Sequence, residues 1–372
     1  MRVAIMGAGL SGLSCAITLE KYGVKPEIFE KRNCTGDRFV NAEGLISVLN
    51  RPVKNSLDFL AGKYGIALKP IDSIDRLFVH SNHEVSLLRG PFGYTNIRGR
   101  HEDSFENQLA RMVKSEIRYN CDKEYDNLCR EFDAVILATG DGAYAAHNGN
   151  YNCHTTFTLK GATVEGRFET DTPHLFFNYE VVPKGYSWIL PYNSREANLV
   201  ISYPDYPDNI KLGIDDMWNG LYALAEEALH QKFRVTDRFE ITRYLVGICN
   251  KPRIDNTYYI GNCFGTISPG FGFGQFTSVL TGVYAALDIC GKGKYEEMVK
   301  PLFKNFYHSL VLRENLENYT DEKFDSVIRK MNGKTLNRLI QKVCGRGCGF
   351  DLLKWSTPLM RLLNSIAAAK KN

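Results

Sequence analysis

Residues 3–12 read VAIMGAGLSG, and this stretch decides the fold. Val3-Ala4-Ile5-Met6 is a short apolar run suited to a strand buried on both faces. Gly7-Ala8-Gly9-Leu10-Ser11-Gly12 then gives the spacing GxGxxG. A helical pattern follows, with Leu13, Ile17 and Leu19 on its apolar side, and Gly23 stands where a helix C-terminus is expected. The next strand is Glu27-Ile28-Phe29-Glu30, which ends in an acid 18 residues after Gly12. Strand, glycine turn, helix, strand and acid together make a dinucleotide-binding unit. Gly7 permits the tight turn, Gly9 lets a diphosphate approach the backbone, and Gly12 lets helix and strand pack closely. The helix start offers free N–H groups and partial positive charge to the phosphates. Glu30 is placed to accept from an adenosine ribose.

Working outward, residues 31–45 form a polar loop that carries Lys31, Arg32, Arg38, Glu43 and Gly44. Such a loop fits along the rest of an extended flavin nucleotide, and it equally fits a solvated surface. Asp133–Gly140 reads as another buried strand ending in a small-residue turn, and Asp141-Gly142-Ala143 follows at once. A second glycine-rich stretch, GNCFGTISPGFGFGQ, spans Gly261–Gln275 after the strand-like Thr257–Ile260. Pro269, Gly272, Phe273 and Gly274 precede a helical pattern with Val279, Leu280, Val283 and Leu287 on one side. Two glycine turns some 250 residues apart make sense if one long cofactor touches both. The first takes the diphosphate. The second helix start takes the flavin ring, whose reduced form is negative at its N1/O2 edge. The cofactor expected is FAD.

The composition is compatible with this. A length of 372 residues suggests about two domains. Net charge is +4 from 46 basic and 42 acidic residues, too balanced for nucleic acid as a partner. The ten cysteines include no CxxC, and they read as reduced thiols of a cytoplasmic protein. Cys344 and Cys348 are the nearest pair, but two ligands are too few, and no metal is expected. No leader is expected before the first strand, and no run of 18 apolar residues occurs.

GAGLSG with Glu30, the ATGDGA turn and GN…SPGFGFG resemble the three flavin motifs of the p-hydroxybenzoate hydroxylase superfamily. Within it the chain is most similar to the geranylgeranyl reductases. Their substrate-cavity motif PxxYxWxFP is matched by Pro183–Pro191, which reads P-x-x-Y-x-W-x-L-P, with Leu190 in place of phenylalanine. The resemblance covers residues 3 to 287. It implies an α/β fold: a Rossmann-like FAD domain, a substrate domain with an antiparallel sheet and a C-terminal helical region. The division expected is 1–75, 96–150 and 246–292 for the FAD domain, 76–95 and 151–245 for the substrate domain, and 293–372 for the helical region. The resemblance also places Gly140, Asp141, Gly261, Asn262 and Arg98 at the cofactor. Asn262 departs from the superfamily's GD motif, whose aspartate contacts the ribityl chain; an amide still hydrogen-bonds a hydroxyl but brings no charge. Asn41 stands near the place where archaeal members often carry a loop cysteine.

Tyr186, Trp188 and Leu190 alternate, so a strand would turn them to one side. That side suits either a pocket wall for an isoprenoid chain or ordinary sheet core. The expected reaction is hydride delivery from reduced FAD to a carbon–carbon double bond of a geranylgeranyl-type prenyl lipid. Tyr186 and bulk water are both open as the proton source. The alternative is a flavin monooxygenase or halogenase on the same fold. Halogenases carry WxWxIP, and Tyr186 and Leu190 depart from it. A carrier that holds lipid without reducing it is a third reading. There is no second dinucleotide motif and no CxxCxxC, so electrons come from outside, from a ferredoxin or NAD(P)H. Leu352–Ile366 followed by Lys370-Lys371 fits a peripheral membrane contact, and it equally fits packing on the protein body.

Overall fold

The computed structural model describes residues 1–36, 39–50, 52–344, 351, 354 and 357. Arg38, Cys348, the side chain of Cys344 and the apolar residues from Leu352 on lie outside the described residues. Two sheets organise the chain. The first has the spatial order Arg253–Ile254, Thr257–Tyr259, Ala134–Leu137, Val3–Met6, Glu27–Phe29 and Ile117–Arg118. All its pairings are parallel except the outermost, between Arg253–Ile254 and Thr257–Tyr259. Val3–Met6 lies at its centre and is buried throughout, as a strand covered on both faces must be.

The helices Leu10–Lys21 and Gln275–Ile289 pack together on one face of this sheet. Ile5, Leu13, Leu19, Ile136, Val279 and Val283 share the resulting core. Gly12 is required where the first helix passes the turn, because a Cβ there would stand 2.1 Å from Gly7 O. The two helix starts therefore open on the same side, beyond the carboxyl ends of the parallel strands, where sheets of this kind bind ligands.

The second sheet has the order Arg234–Cys249, Tyr151–Glu165, Glu196–Pro204, Tyr186–Pro191, His174–Phe176, Asp72–His80, Val85–Gly99 and Val40–Ile46. It is antiparallel apart from the pairing of Asp72–His80 with His174–Phe176. One face packs on the helix Ile214–Ala228 through Ile189, Leu199, Ile201, Trp218 and Leu221. The other face carries Leu175, Trp188 and Leu190 into a cavity. Val40–Ile46 and residues 96–99 hydrogen-bond in this second sheet, so sheet membership cuts across the division drawn from the sequence. Helices Tyr295–Glu317, Asp321–Met331 and Lys334–Cys344 follow. Phe324, Ile328 and Met331 of the middle one close the far end of the cavity. Among the described residues no helix is long and apolar enough to cross a membrane, and no cluster of His, Cys, Asp and Glu could hold a metal ion.

Candidate functional site

The first glycine turn passes hard against its neighbours on one side and is bare on the other. Gly7 adopts φ +108°, and a Cβ on it would stand 2.3 Å from Ala138 O, in the turn after the adjacent strand. A Cβ on Gly9 would meet nothing within 4 Å. Gly9 is also the N-cap of Leu10–Lys21 and offers no side-chain cap, so the first N–H groups of the helix stay available to a ligand. Glu30 is 7% exposed. Its carboxylate accepts Ala8 N–H at 2.8 Å and Arg32 N–H at 3.0 Å. This holds both oxygens at the end of the second strand, beside Lys31 and the segment Cys121–Lys123, all of which line the cavity.

The second glycine turn repeats the plan. Gly274 caps Gln275–Ile289, again without a side-chain cap. Gly261 and Gly272 take φ +57° and +70°. Tyr186, in the neighbouring sheet, donates its hydroxyl to Phe271 O at 2.5 Å and so ties this turn to the cavity wall. Burial pushes the Tyr186 phenol well above its ordinary range, against the opposing pull of Arg313. Gln275 donates from Nε2 to Glu43 Oε2 at 2.6 Å. Arg98 lies between Glu43 and Glu106, at 2.9 and 2.7 Å. Although its burial opposes the charge, the two carboxylates raise its pKa.

One cavity of about 780 Å³ joins these parts. At one end are Gly7, Gly9, Leu10, Ser11, Glu30 and Lys31; in the middle are Gly44, Arg98, Gly140, Gly261 and Asn262. Pro269, Gly272, Phe273 and Gly274 lie beside the second helix start. Beyond them the walls become apolar, with Leu77, Leu175, Phe177, Trp188, Ile328 and Met331. Among the described residues, two of the expected cofactor residues do not line it. Gly12 acts through helix packing, as above. Asp141 turns its carboxylate to Ala143 N–H at 3.1 Å, just ahead of the short helix Ala143–His147, whose N-cap is Gly142.

These residues fit FAD. Two bare helix starts, the open face of Gly9 and a held carboxylate at the strand end are what an extended dinucleotide needs. Sequence reasoning missed Gln275, Tyr244, Phe39, Phe239 and the Cys121–Lys123 segment, all of which line the cavity. Gln275 closes the second glycine stretch and was within reach of the pattern. Phe39 and Phe239 stack at 4.5 Å from opposite sides of the chain, a pairing no local spacing reveals.

A family model described as pyridine nucleotide-disulphide oxidoreductase matches residues 1–170. Digeranylgeranylglycerophospholipid reductase 3 of Methanosphaera stadtmanae is 24% identical over 386 aligned residues, which cover 92% of this chain and 96% of that one. A geranylgeranyl bacteriochlorophyll reductase-like structure from Thermoplasma acidophilum superposes with TM-score 0.70 at 16% identity, covering 92% of this chain and 94% of its own. A flavin-dependent brominase superposes with TM-score 0.63 at 17% identity over the whole of both chains. The likeness to geranylgeranyl reductases read from the motifs is thus borne out by the comparisons, and the fold is that of the FAD-dependent flavoproteins.

Proposed function

We propose that this FAD-dependent oxidoreductase saturates carbon–carbon double bonds in a prenyl lipid of the geranylgeranyl type. The observation that carries the reading is the continuity of the cavity: the second glycine turn opens directly into the apolar limb around Trp188 and Met331. An isoprenoid chain laid along that limb would bring an alkene to the place where the second helix start meets the flavin. The name of the Methanosphaera relative, with its geranylgeranyl and phospholipid terms, points the same way.

Reduced FAD, when bound, supplies the hydride. When FAD is bound, Gly7–Ser11 would hold its phosphates, the turn before Gln275 would position its ring, and the apolar walls would keep the limb dry. Tyr186 serves here as a holder of the glycine turn, since its only proton is given to Phe271 O. An external donor, a ferredoxin or NAD(P)H, would supply the electrons between turnovers.

A single anaerobic turnover tests this. The bound flavin is reduced, a digeranylgeranyl glycerophospholipid is added without oxygen, and flavin absorbance and lipid mass are followed. The expected result is reoxidation with two hydrogens gained per flavin. A flavin that stays reduced until oxygen is admitted, followed by oxygen incorporation, would make the chain a monooxygenase.

A further inference from the structure

The carbonyl oxygen of Gly140 is gripped from two directions. Asn262 Nδ2 donates to it at 3.0 Å, and the Tyr244 hydroxyl donates to it at 2.6 Å. The two donors are joined, because Asn262 Nδ2 also donates to the Tyr244 oxygen at 2.6 Å. Thr266 Oγ1 donates to Asn262 Oδ1 at 2.7 Å and lies 2.7 Å from Ser278 Oγ in the helix Gln275–Ile289. This network fixes the amide orientation: a flipped Asn262 would set Oδ1 against the Gly140 carbonyl and its NH2 against a donating hydroxyl. Both amide hydrogens are therefore used within the protein. What Asn262 retains toward the cavity is acceptor capacity on Oδ1.

Tyr244 reaches this place through an irregularity in its strand. Phe239 and Ile241 of Arg234–Cys249 line the cavity, and strict alternation would bring Arg243 there next. The register against Tyr151–Glu165 instead slips between Ile241 and Tyr244, and Arg243 takes φ +51°. The extra residue turns Tyr244 and Val246 inward. A left-handed arginine is disfavoured, and such strain persists where surrounding structure requires it. Here it delivers one hydroxyl from the second sheet to a turn of the first. Gly140 itself has φ +86°, and a Cβ on it would meet nothing within 4 Å.

We propose that Tyr244 and Asn262 are positioning residues for FAD, clamping the Gly140–Asp141 peptide with its carbonyl toward the protein so that the bare face of Gly140 stays open to the cofactor. The departure from aspartate at position 262 follows from the clamp. A carboxylate there would face the Gly140 carbonyl with no proton to offer. The clamp also links the substrate sheet to the nucleotide sheet at the cofactor, since Tyr244 belongs to the second and Gly140 follows a strand of the first.

The test is FAD titration into apo protein, read by flavin fluorescence and by the visible spectrum of the bound form, for wild type, Tyr244→Phe, Asn262→Asp and the double variant. Uptake by the wild type is measured first and reports on the cradle itself, so failure of the clamp is read from the variants alone. Tyr244→Phe keeps the ring and its packing, so it folds even if Asn262→Asp does not. Each single change is expected to raise Kd about tenfold, as loss of one well-made hydrogen bond does. Its visible bands should move toward those of free FAD. The double variant should lose less than the product of the two, because both donors act on one acceptor. Kd and spectra within twofold of wild type in the single variants overturn the clamp, as does a fall in apo melting temperature with FAD binding unchanged.

Discussion

A Cβ on Gly282 would stand 2.1 Å from the carbonyl oxygen of Ser11. The helices Leu10–Lys21 and Gln275–Ile289 thus meet backbone to backbone, and Ser14 Oγ lies 3.1 Å from Val279 O across the same contact. This close crossing sets the two helix starts side by side at the cavity. It is the structural reason two glycine turns so distant in sequence line one cavity.

Gly282→Ala is therefore a test of that crossing. Alanine gains about 1 kcal/mol over glycine in a helix interior. Against this stands a clash with backbone, which cannot rotate away, and overpacking costs about 1–3 kcal/mol. The clash should win. Thermal unfolding is expected to show a lower melting temperature, and the rise on adding FAD should shrink because the second helix start has moved. A variant with wild-type melting in both states would refute the rigid crossing.

Arg98 offers a second test. It is one-fifth exposed and stands between Glu43 and the nearly buried Glu106. Arg98→Met leaves the Glu106 carboxylate without its cation, a loss of about 3–5 kcal/mol for a buried pair. Urea unfolding should show that drop, and adding Glu106→Gln should recover part of it. No recovery would mean that the packing of the arginine stem matters more than its charge.

The first dinucleotide unit was legible in the sequence because it rests on local signals. Val3–Met6 is apolar throughout, Gly7 and Gly12 sit where chain meets chain, and Glu30 ends the next strand. The inward alternation of Tyr186, Trp188 and Leu190 was legible for the same reason, and all three line the cavity. Asp141 follows the glycine turn, and its carboxylate accepts Ala143 N–H instead of lining the cavity, a local turn that the motif spacing does not reveal. The strand Val40–Ile46 was hidden in what read as a polar loop, since its partner Val85–Gly99 lies far along the chain, and Val85–Gly99 itself runs across a boundary drawn from the sequence. Tyr244 was invisible because a bulge breaks the period on which inward residues are counted.

A pair of histidines predicts acid sensitivity. His80 Nε2 and His174 Nδ1 lie 3.0 Å apart, stacked between Phe176 and Phe78. Burial lowers His80 to about 4, and burial plus the charge of His80 lowers His174 to about 3. Both folded values lie below the unfolded value of about 6.5. The unfolded chain therefore binds protons first as pH falls. The stability from keeping the pair neutral is complete above pH 6.5 and is lost progressively toward pH 4 and below. The slope should approach about 1.4 kcal/mol per pH unit for each histidine. Denaturant midpoints measured from pH 7.5 to 4.5 should fall in this way, and His174→Phe should flatten the curve. An unchanged slope in that variant would place the acid sensitivity elsewhere.

The last prediction separates two roles for Tyr186. As a holder of the second glycine turn it gives its proton to Phe271 O, and its oxygen lies 3.3 Å from where a Cβ of Gly272 would be. Tyr186→Phe then removes one hydrogen bond and leaves the Phe271 carbonyl unpaired, for a loss of about 1–3 kcal/mol. If only part of that loss reaches the transition state, the proposed alkene reduction slows by less than tenfold and its dependence on pH and on deuterated solvent is unchanged. Removal of a general acid would instead slow the step by about 10²–10⁴ and alter the solvent isotope effect. Single-turnover rates in H2O and D2O distinguish the two. The hydrogen bond to Phe271 predicts the smaller effect, because a phenol pushed upward by burial and already donating to a carbonyl is poorly placed to protonate carbon.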